Sequence, residues 1–276
     1  MRRLFPLSPD APRAPGASHG TADPAAADAG DRTWSLDELA DAYAYPSGTG
    51  ARTGRSWLRA NMVASLDGAA HHGGRSQPLS SDTDMRIFGV LRALADAVVV
   101  GAETVRQEGY RPARAREAFA ARRAAAGQAP APAIAVLSAG LELDFTAPLF
   151  TAPHTPTLVL TGAGAPTDRV AAARATGARV VFAGEGIGAD PARVPALLAE
   201  HGHHRLLTEG GPRVLGEFAA TGVLDELCLA ISPRVTAGEA PRIMNGPALA
   251  APADFVLESL LEEAGFLFTR YRRQGE

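Results

Sequence analysis

The chain has 276 residues, 46% hydrophobic and 21% charged, with a formal net charge of -3: enough apolar sequence for a buried core, and no electrostatic reason to expect nucleic acid or a membrane surface as partner. All 27 basic residues are arginine, which excludes a lysine Schiff base, a P-loop lysine and a lysine contact at a hydride site. Cys228 is the one cysteine, so no intramolecular disulfide is possible, a cytosolic protein is the simplest expectation, and no apolar run is long enough to cross a bilayer.

Residues 1–33 open with a stretch dominated by Pro, Ala, Gly and Asp, lack the apolar run of a secretory signal, and are expected to be a disordered tail. Order is expected over 34–276, as one domain. It begins at "WSLDELADAYAYP", where Ser35 and Glu38 have capping-box spacing and Leu36, Leu39 and Tyr43 share a helical face. "WLRANMVAS" (57–65) predicts a strand. "SDTDMRIFGVLRALAD" (81–96) predicts a helix capped by Ser81 or Asp82, with Met85, Phe88, Leu91 and Leu94 at helical spacing. "AVVVG" (97–101) has the form of a strand buried on both faces. An Arg- and Ala-rich helix (113–126), a strand (131–138) and a Pro-rich connection (146–156) follow. Two further buried strands (157–162 and 178–184) flank a helix at 167–176. A helix near Pro191, a strand at 204–208 and a helix from Pro212 complete the alternation, which implies a mostly parallel sheet with helices on both faces. Segments 226–235, 255–265 and 266–273 read as strands with no helix between them, so an antiparallel edge is expected.

In "RLLTEGGPRVLGEF" (205–218), Glu209-Gly210-Gly211 falls where a parallel strand ends. Pro212 suits the first helical position, and the unpaired N–H groups of the first turn make an anion site. Two glycines permit close approach to a phosphate, and Glu209 at the strand tip faces the crevice where open α/β sheets bind ligands. Taken alone, the tripeptide favours a plain tight turn with Glu209 solvated or capping.

Together with "NMVASLDGAAHHGGRSQPLSSDTD" and "LRALADAVVVGAETVRQEGYRP", this region resembles the reductase domain of the bifunctional riboflavin-pathway deaminase-reductases and their stand-alone pyrimidine reductase relatives, over about residues 57–273. The resemblance implies a dihydrofolate reductase-like α/β fold, a mostly parallel sheet with an antiparallel C-terminal edge, and NADPH-dependent reduction of the ribosyl group of a phosphoribosylamino-pyrimidine such as 5-amino-6-(5-phosphoribosylamino)uracil. The zinc deaminase half is missing, since one cysteine cannot supply its ligands.

Carried onto this chain, the resemblance places substrate at Ser76, Arg92 and either Arg111 or Arg114, with Glu209 and Asp67 at the reacting sugar. Cofactor falls on Val63, Ala64, Thr104 and Glu108, on Gly162 in the "TGAGAPTDR" loop, and on Gly210, Gly211, Pro212, Arg213, Val214 and Leu215. Arg169 and Arg213 compete for the 2′-phosphate of NADPH. Each residue has a plainer alternative: Arg92 as a surface helix arginine, Thr104 as a helix cap, Asp67 as the turn residue of Asp-Gly. The loop at 161–169 lacks the third glycine of the dinucleotide fingerprint. Ala69, Pro78 and Glu108 stand where the family commonly has Lys, Trp and Asp. His71-His72 and "HGHH" (201–204) have no carboxylate or cysteine at ligand spacing, so no metal is expected. A homodimer through the antiparallel edge is expected from the family. Two alternatives stay open: an oxidoreductase of similar fold acting on another small heterocycle, and a non-catalytic NADPH-binding protein.

Overall fold

The computed structural model describes residues 1–5 and 32–275; the tail reading for 6–31 lies outside the described residues. Short, mostly apolar segments rich in Val, Leu and Ala form the spine. β2 (Trp57–Ala64), β3 (Ala97–Gly101), β4 (Ala133–Leu137), β5 (Leu158–Thr161), β6 (Arg179–Phe182) and β7 (Arg205–Thr208) run parallel in the order β2-β7-β3-β4-β5-β6. All five residues of β3 and of β4 are buried, as strands covered on both faces require. Alternation along β3 sends Val98 and Val100 into one core and Ala97 and Val99 into the other. The first core is closed by α1 (Leu36–Ala42), α2 (Asp82–Leu94) and α6 (Thr167–Ala175), the second by α7 (Val194–Glu200) and α8 (Pro212–Ala220).

Beyond β2 the sheet continues through β8 (Glu226–Ile231), parallel to it, then the antiparallel β10 (Phe266–Arg273) and β9 (Phe255–Glu263). The expected antiparallel edge is present, but β9 is not its last member. β1 (Arg2–Phe5) pairs with β9, Arg2 opposite Glu262, and their side chains meet at 2.8 Å. Residues 2–5, grouped with the tail on composition, are therefore a strand.

Three further differences have local causes. The expected helix at 113–126 begins only with a 3-10 turn at Glu117–Phe119 and α4 (Ala120–Ala125), leaving 111–116 as a loop. β6 closes the sheet, so Arg179 and Phe182 are exposed and the strand is not buried on both faces. The apolar face of α2 is Ile87, Val90, Leu91 and Leu94; Met85 is exposed and Phe88 lines a cavity.

Several of the residues that carry the resemblance are structural. Asp96 accepts the backbone N–H groups of His204 and Arg205 at 2.9 and 2.7 Å, setting β7 beside β3. Asp225 accepts Leu58 N–H at 2.7 Å. Glu226 is fully buried between Arg59 at 2.8 Å and Arg270 at 2.6 Å, with Trp57 Nε1 donating at 2.9 Å. Burial opposes its charge, but the two guanidinium groups hold its carboxyl below the usual range.

Candidate active site

The parallel strands end at one edge of the sheet, where open α/β sheets bind ligands. A cavity of about 770 Å³ lies there. Its floor is Met62 and Val63 of β2, one wall is the junction after β7, and the other is α2 with the segment that follows α3 (Ala102–Glu108).

Glu209 sits at the centre, 9% exposed. Arg92 grips it through two hydrogen bonds, Nε to Oε1 and Nη2 to Oε2, both 2.6 Å. The Tyr110 hydroxyl donates to Oε2 as well. Arg92 itself lies over two rings, 4.4 Å from the centre of Phe88 and 5.3 Å from that of Tyr110. Burial works against the Arg92 charge, yet Glu209 raises the guanidinium pKa above its ordinary value. Burial and the Glu209 charge together push the Tyr110 phenol well above its usual range. Arg92 is therefore in the site, as expected, but as the partner of Glu209 rather than a free phosphate ligand.

Free cationic side chains come from the next segment. Gly109, at φ 64, ends α3 in the left-handed region and turns the chain so that Arg111 and Arg114 both reach the cavity wall, exposed. Ser76 and Glu108, expected at substrate and cofactor, meet each other: Ser76 N–H and O–H lie 3.3 and 3.2 Å from Glu108 Oε1.

At the helix start, Gly211 is the N-cap of α8, and a Cβ there would stand 2.8 Å from Thr104 Oγ1. Thr104 thus faces the junction; the N-cap of α3 is Gly101. Gly211, Pro212, Thr104 and Val63 all line the cavity. The neighbours do other work. Gly210 has φ +82, and its carbonyl accepts Gly101 N–H at 2.9 Å. Val214 packs where a side chain at Gly101 would sit, Leu215 is fully buried in the core, and Arg213 is exposed beside Glu217 at 3.5 Å. Ala64 is buried in register with Ile231. These five expected cofactor residues are not in the cavity wall.

Two expected site residues are bonded elsewhere. The Asp67 carboxylate accepts the Ser65 hydroxyl and the N–H groups of Thr236 and Ala237, the last at 2.7 Å. The Ser65 hydroxyl, with help from these amides, pulls its carboxyl down to about 2. Asp67 joins two loops and is not among the residues of the cavity wall, the placement of a turn residue. At Gly162 the backbone donors are engaged: the N–H groups of Gly162, Ala163 and Gly164 donate to Ile187, Gly184 and Gly186 carbonyls at 2.7–2.9 Å. Arg169 is likewise taken, bonded to the Leu141 and Leu143 carbonyls.

The cavity also contains residues that were not among the expected site residues: Tyr110, Phe88, Asp84 and Met62. His71 lines it too, with a buried Nδ1 that has no hydrogen-bond partner. The one available signal was Phe88-x-x-x-Arg92, an aromatic one helical turn before a cation. Among the described residues no cluster of three or more metal-ligating side chains occurs.

Fold and site define an α/β protein that binds a ligand at the ends of parallel strands, a buried carboxylate lying between a helix start and an arginine-bearing loop. Residues 56–262 match the family described as the RibD C-terminal domain, and the chain belongs to that family. It is 27% identical over 194 residues, 70% of this chain and 87% of the relative, to the 2,5-diamino-6-ribosylamino-4(3H)-pyrimidinone 5′-phosphate reductase of Archaeoglobus fulgidus. To the Aquifex aeolicus protein of the same description it is 30% identical over 188 residues, covering 66% and 79%. The crystal structure of a pyrimidine reductase-like protein from Corynebacterium diphtheriae superposes with a TM-score of 0.70 at 27% identity, covering 80% of this chain and 93% of that one. Acinetobacter baumannii RibD, at 17% identity and a TM-score of 0.63 over 80% and 59%, shares the fold.

Proposed function

We propose that this chain is an NADPH-dependent reductase of a phosphorylated ribosylaminopyrimidine, converting the ribosyl group to ribityl. The observation that carries it is Glu209, buried and held by Arg92 between the Gly211 helix start and the Arg111–Arg114 loop. Both curated relatives bear the name of such a reductase. Their substrate carries a 2-amino group, so the diaminopyrimidinone phosphate is tested beside the uracil compound.

The reaction forms a C–H bond at C1′ of the sugar, breaks its bond to the ring oxygen, and leaves a proton on that oxygen. Nicotinamide, when bound, supplies the hydride. Gly211, Pro212 and Thr104 fit such a cofactor: a helix start with no Cβ admits a pyrophosphate, and a hydroxyl stands beside it. Arg213 is the remaining candidate for the 2′-phosphate, since Arg169 is engaged elsewhere. Arg111 and Arg114 pair with the substrate 5′-phosphate. Glu209, already accepting three hydrogen bonds, serves as an acceptor that holds a sugar hydroxyl.

NADPH oxidation followed by absorbance, with NADH as control and each pyrimidine in turn, tests this. Turnover that drops at least a hundredfold in Glu209→Gln, with NADPH binding kept, is the expected result. The Ser76–Glu108 contact, together with Ala69 and Pro78, favours a second reading, a different small heterocycle as substrate. NADPH binding without turnover of either pyrimidine would select that reading or a non-catalytic binder. The cytosol is part of the same proposal, supported by the buried free Cys228. So is a homodimer, for which exposed Leu4, Phe5 and Val256 offer an apolar margin, to be checked by sedimentation.

A further inference from the structure

We infer that Tyr110 is a positioning residue for Glu209, fixing which carboxylate oxygen meets the sugar; the inference rests on the functional reading above. A carboxylate offers about four acceptor positions. Three are filled: one on Oε1 by Arg92 Nε, and both on Oε2 by Arg92 Nη2 and the Tyr110 hydroxyl. One position, on Oε1, is left for a ligand. Without the tyrosine hydroxyl a second position opens on Oε2, and a sugar hydroxyl has two ways to bind.

The tyrosine is itself held firmly. It follows the left-handed Gly109, its N–H is bonded to the Val105 carbonyl at 3.1 Å, and its ring packs against the first core while lining the cavity. Packing alone asks only for a ring, and phenylalanine would supply that and the contact with Arg92. The hydroxyl is accounted for by Glu209, so Tyr110 acts through another residue and touches no reacting atom.

The test is a double-mutant cycle on the full chain with NADPH: wild type, Tyr110→Phe, Glu209→Gln and the pair, each with kcat, KM for pyrimidine and for NADPH, and Tm. Ribose 5-phosphate affinity by calorimetry gives a readout besides turnover. Tyr110→Phe is expected to keep Tm within about 2 °C and KM for NADPH unchanged, to lower kcat and KM for pyrimidine together by about tenfold, as an added unproductive binding mode does, and to leave ribose 5-phosphate affinity no weaker than in wild type. In the Glu209→Gln background the same change is expected to cost nothing further. Wild-type kcat in Tyr110→Phe, a full extra loss in the Glu209→Gln background, or a large fall in Tm with NADPH affinity lost would each overturn the positioning role. A wild-type protein that turns over neither pyrimidine fails differently: it overturns the functional reading, and this inference falls with it.

Discussion

Replacing Arg92 with methionine separates its two possible jobs. The pair it forms with Glu209 joins a side chain 24% exposed to one 4% exposed. Removing the guanidinium leaves a nearly buried carboxylate with Tyr110 as its remaining donor. Breaking a buried pair this way costs about 3–5 kcal/mol, and water reaching the vacated Arg92 position brings that to roughly 2–4 kcal/mol. Methionine keeps an apolar stem against Phe88, so packing loss adds little. At about 2–4 °C per kcal/mol for a chain of this size, Tm is expected to fall by roughly 4–16 °C. Urea unfolding of Arg92→Met, Glu209→Gln and the double variant measures the coupling, and the double variant is expected to be more stable than the sum of the singles by at least about 1 kcal/mol. An Arg92→Met protein within about 0.5 kcal/mol of wild type, or strict additivity, would refute the clamp and return Arg92 to the substrate phosphate.

Arg111→Ala with Arg114→Ala is expected to raise KM for the phosphorylated pyrimidine about 10–100-fold and to flatten its salt dependence, with kcat moving less; an unchanged KM in steady-state assays would remove both from the phosphate site. Gly162→Ala puts a Cβ 1.9 Å from the Gly186 carbonyl oxygen, so the clasped loops must part: stability is expected to drop by at least about 2 kcal/mol with NADPH affinity intact, and lost affinity in a folded variant would make the loop a cofactor contact after all. Asp67 has its carboxyl depressed from 3.8 to about 2 in the folded protein. Its contribution is therefore complete above pH about 4 and disappears as pH falls through about 2. The Tm gap between wild type and Asp67→Asn should close over that window, and a gap constant with pH contradicts the loop-locking role.

What could be read from residues alone was whatever local chemistry decides. Short, continuously apolar segments between helical patterns announce strands covered on both faces, and β3 and β4 are just that. Gly-Gly-Pro after an apolar strand announces a helix start, which put Glu209 at the cavity in advance. The Asp-Gly turn at 67 was equally legible, since its carboxylate bonds nearby backbone as such turns do. Partners distant in sequence were not legible. Arg92 and Glu209 are separated by 117 positions, and Tyr110 reaches the same carboxylate from 99 away. The backbone donors at 162–164 looked available because the carbonyls that take them belong to a later loop. β1 exists only through a register with residues near 262, so its composition carried no sign of it.

The place of β2 has a consequence for how the chain assembles. It lies mid-sheet, yet both its neighbours, β7 and β8, come from beyond residue 204, whereas β3, β4 and β5 each pair with the next strand in the chain. During synthesis the sequential ladder can close early, while β2 waits with both edges unpaired until residues 205–231 have emerged. A chain cut before Glu226 never covers one of those edges. Such fragments carry an apolar strand open to pairing with their own copies, and they are expected to accumulate as aggregates rather than as partly active protein.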